Sequence, residues 1–317
     1  MEILQKKTQL RDILRTTLEP LIDNDYIFID LPYYKNIGDV LIWNGTEAFL
    51  KGVKHKCLYR ASFYTFDFRQ LPPSAIIVLQ GGGNWGDLWH EHNTFRKEIV
   101  KKYPDNRIII LPQTVFYENK LNQEKDFKIF SEHPKLIVCA RDNYSYEVLR
   151  DGINCRVILL PDMAFFLDFP LNTTRTGKNL FFKRNDKELK MDANYSIIPS
   201  DAETHDWPTY ENTLIIDKII SRIENSLRRV NPNFSFARHK KIENYLYYYI
   251  LRQEYQKAGV RLLSSYDVIF STRLHAAILG ILLGKKVVFI DNSYGKNSNF
   301  YHTWLEDLDS ITLVESK

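Results

Sequence analysis

The chain has 317 residues, 44% of them apolar and 26% charged, with a formal net charge of +4. That length supports a sizeable core and two domains of about 100–200 residues each. The charge is too small for a nucleic-acid protein, and no apolar run approaches the roughly 20 residues of a membrane span.

The chain begins Met1-Glu2-Ile3-Leu4 with no secretory apolar region, so the expected location is the cytoplasm. Leu4, Leu10, Ile13, Leu14, Leu18 and Leu21 recur at helical spacing and predict an opening amphipathic helix over 3–22. Short apolar runs then alternate with helical patterns. Strands are expected at Tyr26–Leu31, Ala75–Leu79, Arg107–Leu111 (stopping at Pro112), Leu136–Ala140 and Val157–Leu160. Helices are expected from the turn Asn36-Ile37-Gly38-Asp39 to Leu50, over Trp89–Tyr103, and from an Asp142 cap to Arg150. The polar stretch Asp168–Gly177 breaks the pattern and is the expected linker. A second α/β unit follows. Its strands are expected at Asn179–Phe182, Tyr195–Ile198, Val268–Phe270, Lys286–Ile290 and Ile311–Val314. Its helices are expected over Leu214–Val230, 241–263, 274–283 and 297–307. The three cysteines, Cys57, Cys139 and Cys155, are far apart and odd in number, which suits a reducing compartment and no zinc spacing.

Strand–helix alternation on both sides of a linker predicts an α/β fold of two doubly wound Rossmann-like domains, 1–170 and 171–317, facing a cleft. Open parallel sheets bind ligands beyond the carboxyl ends of their strands. The chemically suggestive residues follow expected strands. In Ser271-Thr272-Arg273-Leu274-His275 a strand ends and a helix starts, so backbone N–H groups, a guanidinium and a titratable ring converge on an anion site. Arg184, in the turn Phe182–Glu188, can offer bidentate donors to a carboxylate or phosphate. Lys296, in the loop Asp291–Asn297, can complete a cationic pocket. The cluster Gly81-Gly82-Gly83-Asn84-Trp85-Gly86-Asp87 lets backbone approach a ligand. It contains Gly-x-Gly-x-x-Gly, but it follows a later strand and no ribose-binding acid follows, so it is not a dinucleotide fingerprint. Gly38 opens a helix, and Asp39 is either its cap or a general base. Tyrosine, present 19 times, suits sugar binding as well as packing. The basic stretch Arg228–Lys241, followed by Tyr245–Tyr249, could dock on an anionic inner-membrane face. No Walker lysine, Gly-x-Ser-x-Gly elbow, HExxH or acidic metal run occurs.

Together Asn36-Ile37-Gly38-Asp39, the glycine cluster to Asp87, Leu111-Pro112-Gln113, Ala140-Arg141-Asp142, Leu160-Pro161-Asp162, Arg184-x-Asp186 and Ser271–His275 resemble the polysaccharide pyruvyl transferase family. The motifs run in order over nearly the whole chain. The resemblance implies a GT-B-like fold and a reaction that moves pyruvate from phosphoenolpyruvate onto two hydroxyls of one sugar, releasing phosphate. It implies that phosphoenolpyruvate is a co-substrate, that no further cofactor or metal is used, and that Arg184, Arg273, Leu274 and His275 contact it. Its setting is bacterial surface-polysaccharide (capsule) assembly on a galactose-like acceptor, which the resemblance leaves open as a lipid-linked oligosaccharide, a polymer or a small glycoside. The chemistry then gives His275 the role of acid, and Asp39 or Asp87 that of base on the acceptor hydroxyl. Ser271, Thr272, Lys296, Asn36, Gly82, Gly83 and Asn84 are the remaining expected substrate contacts. The rivals are a GT-B glycosyltransferase using a nucleotide sugar and a non-catalytic binder of anionic glycans.

Overall fold

The computed structural model describes residues 2–171 and 175–314. It contains two parallel sheets. The first holds β1 (Tyr26–Ile29), β2 (Cys57–Ala61), β3 (Ile76–Leu79), β4 (Gly82–Gly86), β5 (Ile108–Phe116), β6 (Leu136–Ala140) and β7 (Arg156–Leu159). They are ordered β2-β1-β3-β5-β6-β7, with β4 paired to β5. The second holds β8 (Asn179–Phe182), β9 (Glu203–His205), β10 (Val268–Ser271), β11 (Lys286–Ile290) and β12 (Ile311–Val314), ordered β12-β11-β10-β8-β9. The linker expected at 168–177 includes residues 172–174, which lie outside the described residues.

The central strands are continuous apolar runs because both faces of a parallel sheet are covered. In β1, Tyr26 and Phe28 enter one core while Ile27 and Ile29 enter another. Ile76/Val78 and Ile77/Leu79 divide the same way in β3. The second sheet is covered unequally. Leu180, Phe182, Ile269, Val287 and Phe289 face a large core, whereas Phe181, Phe270 and Ile290 face a small one. That large core is shared, since it also takes Leu10, Ile37, Val40, Leu41, Ala164 and Phe165 from the first half of the chain.

Several expectations are corrected. β5 does not stop at Pro112; it continues to Phe116. Its register against β6 shifts between Ile110 and Gln113, and an irregularity of that kind is where a sheet tolerates proline. The glycine cluster, for which no strand was expected, forms β4, pairing Gly82 with Gln113 and Gly86 with Phe116. Only glycine fits at 86, where φ is +137° and a Cβ would lie 1.7 Å from the Phe116 carbonyl oxygen. Tyr195–Ile198 forms a turn closed by the Ile198 N–H donating to the Tyr195 carbonyl, and Glu203–His205 is the edge strand instead. β2 and the helix Lys120–Ser131 escaped the sequence pattern, because both carry mixed polar and apolar residues. A π-turn, Leu246–Leu251, interrupts the helix expected over 241–263.

Candidate active site

The carboxyl ends of both sheets open onto one cavity of about 290 Å³. From the second sheet it is lined by Arg184, Asp186, Glu188, Arg273, Leu274, His275 and Lys296. Helices starting at Ile37, Leu274 and Lys296 bring their N-termini to it, adding positive dipole ends to the formal charge.

The corner after β10 is built by its own side chains. Ser271 Oγ accepts from the Arg273 N–H at 3.1 Å and donates to the Arg273 carbonyl. Thr272 Oγ1 accepts from the Arg184 N–H at 2.9 Å, tying the corner to the end of β8. Ser271 and Thr272 are fully buried and absent from the cavity wall, so they position Arg184 and Arg273 instead of touching a ligand. Arg273 donates through Nε and Nη2 to both oxygens of buried Asp206, at 2.5 and 2.7 Å. Asp186 bridges the two arginines, 2.7 Å from Arg184 Nε and 3.0 Å from Arg273 Nη2. Glu188 receives Arg184 Nη1 at 2.7 Å and the Tyr294 hydroxyl at 2.9 Å, with Lys296 Nζ at 3.6 Å. Burial alone would raise the Glu188 carboxyl, but the Lys296 and Arg184 charges outweigh it and hold it well below the usual range. Burial lowers the Lys296 ammonium, and the neighbouring Arg141 and Arg184 charges add to that.

His275 Nε2 lies 3.2 Å from Asp162 Oδ2, and Arg141 Nη1 holds the same oxygen at 2.7 Å. Burial would raise the Asp162 carboxyl, yet the His275 and Arg141 contacts keep it well below the carboxylate range. Arg141 Nε donates to Thr114 Oγ1 at 2.8 Å, while its Nη2 is buried without a partner among the described residues. A Cβ on Gly83 would meet that Nη2 at 2.8 Å and Lys296 Nζ at 2.6 Å. Two cations therefore crowd a bare stretch of backbone, where an anion would relieve both. Gly38 serves likewise, since a Cβ there would lie 2.9 Å from His275 Nδ1.

The first sheet lines the cavity with Tyr34, Asn36, Asp39, Phe63, Tyr64, Gly83, Asn84, Trp89, Glu91 and His92, joined by Trp207 and Tyr210. Asp39 accepts from the Tyr34 hydroxyl at 3.0 Å and Asn36 Nδ2 at 2.7 Å, while Asn36 Oδ1 caps the helix at Gly38. Burial, then the Asp39 charge, push the Tyr34 hydroxyl well up. His92 Nδ1 is 2.8 Å from Asp30.

Of the expected site residues, Arg184, Arg273, Leu274, His275, Lys296, Asn36, Asp39, Gly83 and Asn84 line this cavity. Gly82 does not, and neither does Asp87. Asp87 accepts from the Glu118 and Asn119 N–H groups and from Asn122 Nδ2 at 2.9–3.1 Å, so its carboxylate fastens a loop. Arg141 and Asp162 had entered only as pieces of motifs. Their place just after strands was the available signal. Trp89, Tyr210 and His92 carried none.

The profile described as Polysaccharide pyruvyl transferase matches residues 36–294. EpsO of Bacillus subtilis (strain 168), which bears the name of a pyruvyl transferase, is 37% identical over 95% of this chain and 94% of its own. Pyruvyl transferase 1 of Schizosaccharomyces pombe is 27% identical over 90% of this chain and 71% of its own. A crystal structure of a functionally uncharacterized Klebsiella pneumoniae protein, KP1_0663, shares the fold. It has a TM-score of 0.58 and 21% identity, covering 97% of this chain and 98% of that one.

Proposed function

The chain belongs to the polysaccharide pyruvyl transferase family, and from that premise we propose that it transfers pyruvate from phosphoenolpyruvate onto two hydroxyls of a galactose-like sugar, releasing phosphate. The acceptor is a lipid-linked precursor of a bacterial capsule or other surface polysaccharide, modified on the cytoplasmic side. The observation that carries this reading is the cavity wall itself, which brings Arg184, Arg273, Lys296 and His275 together, with the unpartnered Arg141 Nη2 buried behind Gly83. A donor with both a carboxylate and a phosphate needs such a set. Asp186, held between two guanidiniums and partly exposed, occupies the position a substrate carboxylate would take.

In this scheme His275, fixed by Asp162, protonates the methylene carbon or the departing phosphate. The arginines and Lys296 stabilise charge as phosphate leaves. Asp39 takes a proton from the acceptor, whose ring lies against Tyr34, Tyr64 or Trp89. We read the chain as two doubly wound units, 1–170 on the acceptor side and 171–317 on the donor side, in a GT-B-like arrangement. The test is phosphate release from phosphoenolpyruvate across a panel of galactosides, glucosides and mannosides, with mass spectrometry of the product. A cyclic ketal on a galactoside is expected. Nucleotide release from a nucleotide sugar, with phosphoenolpyruvate untouched, would sink the reading in favour of a glycosyltransferase.

A further inference from the structure

A second histidine–carboxylate pair reaches the cavity, from the wall built on the first sheet. Asp30 follows β1, is 1% exposed, and is the one non-glycine residue with positive φ (+66°) among the described residues. Such backbone strain persists where the surroundings require it, often at functional sites. Both Asp30 oxygens are held, one by His92 Nδ1 at 2.8 Å and the other by Arg96 Nη2 at 2.7 Å. Phe63 and Tyr34 pack edge-on against the His92 ring. His92 lines the cavity, and its ring hydrogen bond among the described residues is made by Nδ1, leaving Nε2 for a ligand. An imidazole whose Nδ1–H is donated to a buried carboxylate presents Nε2 as an acceptor.

This inference rests on the pyruvyl-transfer reading. Ketal formation removes two hydroxyl protons. One ends on the methylene carbon, which becomes methyl, and the other leaves with phosphate. Two C–O bonds form to the central carbon while its C=C double bond and its C–O bond to phosphate are lost, so no oxidant or reductant is needed. A base that has taken the first proton must discharge it before taking the second. We propose that His92, positioned by Asp30, is the base for one acceptor hydroxyl while Asp39 serves the other.

His92→Gln should lower kcat at least about 100-fold, with phosphoenolpyruvate affinity, read by direct titration, within twofold of wild type. Free imidazole should restore part of the rate, which a packing role would not allow. A kcat within threefold of wild type, lost phosphoenolpyruvate binding, or a loss that imidazole leaves untouched would each overturn the assignment. If the wild-type protein releases no phosphate with any acceptor, the functional reading falls and this assignment with it. An active wild type beside an equally active H92Q overturns this assignment alone.

A different surface carries a second inference. The helix Ile215–Val230 packs Ile216 and Ile220 against the shared core, and its buried Asp217 accepts from the Tyr255 hydroxyl at 2.8 Å. The flank next to that packed face exposes an apolar stripe of Ile215 (78%), Ile219, Ile223, Leu227 and Val230 (88%). Lys218, Arg222 and Arg229 form a row beside that stripe at helical spacing. The basic stretch expected to dock, Arg228–Lys241, is partly engaged elsewhere. Arg228 donates to Glu224, Arg238 to the Asn233 carbonyl, and Lys240 to Asp67.

An apolar stripe with a cationic border fits an anionic bilayer lying across the helix. A second copy of the chain fits less well, because an antiparallel twofold contact would bring the like-charged rows together. No helix among the described residues is long and apolar enough to cross a membrane. Lys35, between cavity-lining Tyr34 and Asn36, pairs with Asp217 at 3.6 Å, so the helix starts beside the cavity. We infer that this face rests on anionic lipid. The intact protein should sediment with phosphatidylglycerol-containing vesicles and not with phosphatidylcholine alone. The double variant Ile219→Glu/Ile223→Glu should weaken that binding at least tenfold, with turnover of a soluble glycoside unchanged. Equal binding to both vesicles, unaltered binding of the double variant, or a dimer dissolved by the substitutions would overturn it.

Discussion

The two walls of the cavity are built on different principles. The wall from the second sheet is a closed network in which Arg184, Glu188, Arg273 and Asp206 are buried and the partly exposed Asp186 bridges the two arginines. The wall from the first sheet is aromatic and more open, with Tyr64 56% and Trp89 41% exposed. Rings offer area without demanding one geometry, whereas paired guanidiniums fix a planar anion. The contrast teaches that one wall is preorganised for a constant ligand and the other can accept a variable one.

The strongest way to break this comparison is His275→Ala. Turnover should fall by about 10²–10⁴-fold with the fold intact; a near-normal rate would remove the charged wall from the chemistry. Arg273→Ala comes next. It should weaken phosphoenolpyruvate binding, and it also strips Asp206, 3% exposed, of its bidentate partner. Breaking a buried pair costs about 3–5 kcal/mol, so a lower denaturation midpoint should accompany the loss; unchanged values of both would contradict the network. Acid should expose the same wall. Asp162 and Glu188 are depressed in the folded state, so their contribution is present above the unfolded carboxyl values, about 3.9–4.3, and is lost as pH falls through the folded ones. Melting temperature should therefore drop below about pH 4, with a shallower limb in Glu188→Gln; identical limbs would speak against the Glu188 contacts. The smallest effect is expected at Tyr64→Ala. Loss of one ring should raise the acceptor KM by roughly 2–10-fold, from about 0.5–1.5 kcal/mol of stacking, and leave phosphoenolpyruvate affinity alone.

The charged wall was largely legible in the sequence, because Arg184, Arg273 and His275 each follow a buried apolar run that could only be a strand. The aromatic wall was not. Tyr64 and Trp89 sit in loops, and with 43 Phe, Tyr and Trp residues in the chain no local pattern separates a ligand face from packing. Asp87 misled because a carboxylate after a glycine cluster looks the same whether it faces a ligand or clamps the Glu118–Asn119 backbone. Pro112 misled because its normal strand-breaking effect is cancelled by a register shift visible only in three dimensions. The fold's periodicities are local, and the missed features all depend on what a residue meets across the chain.

The shared core has an evolutionary consequence. Leu10, Ile37, Val40, Leu41 and Phe165 pack with Leu279, Phe289 and Trp207, so neither half could be exchanged for a relative's without tearing that seam. New acceptor ranges are thus not reached by shuffling modules. They must be reached one loop residue at a time, at positions such as Tyr64 and Trp89, while the inherited halves stay together.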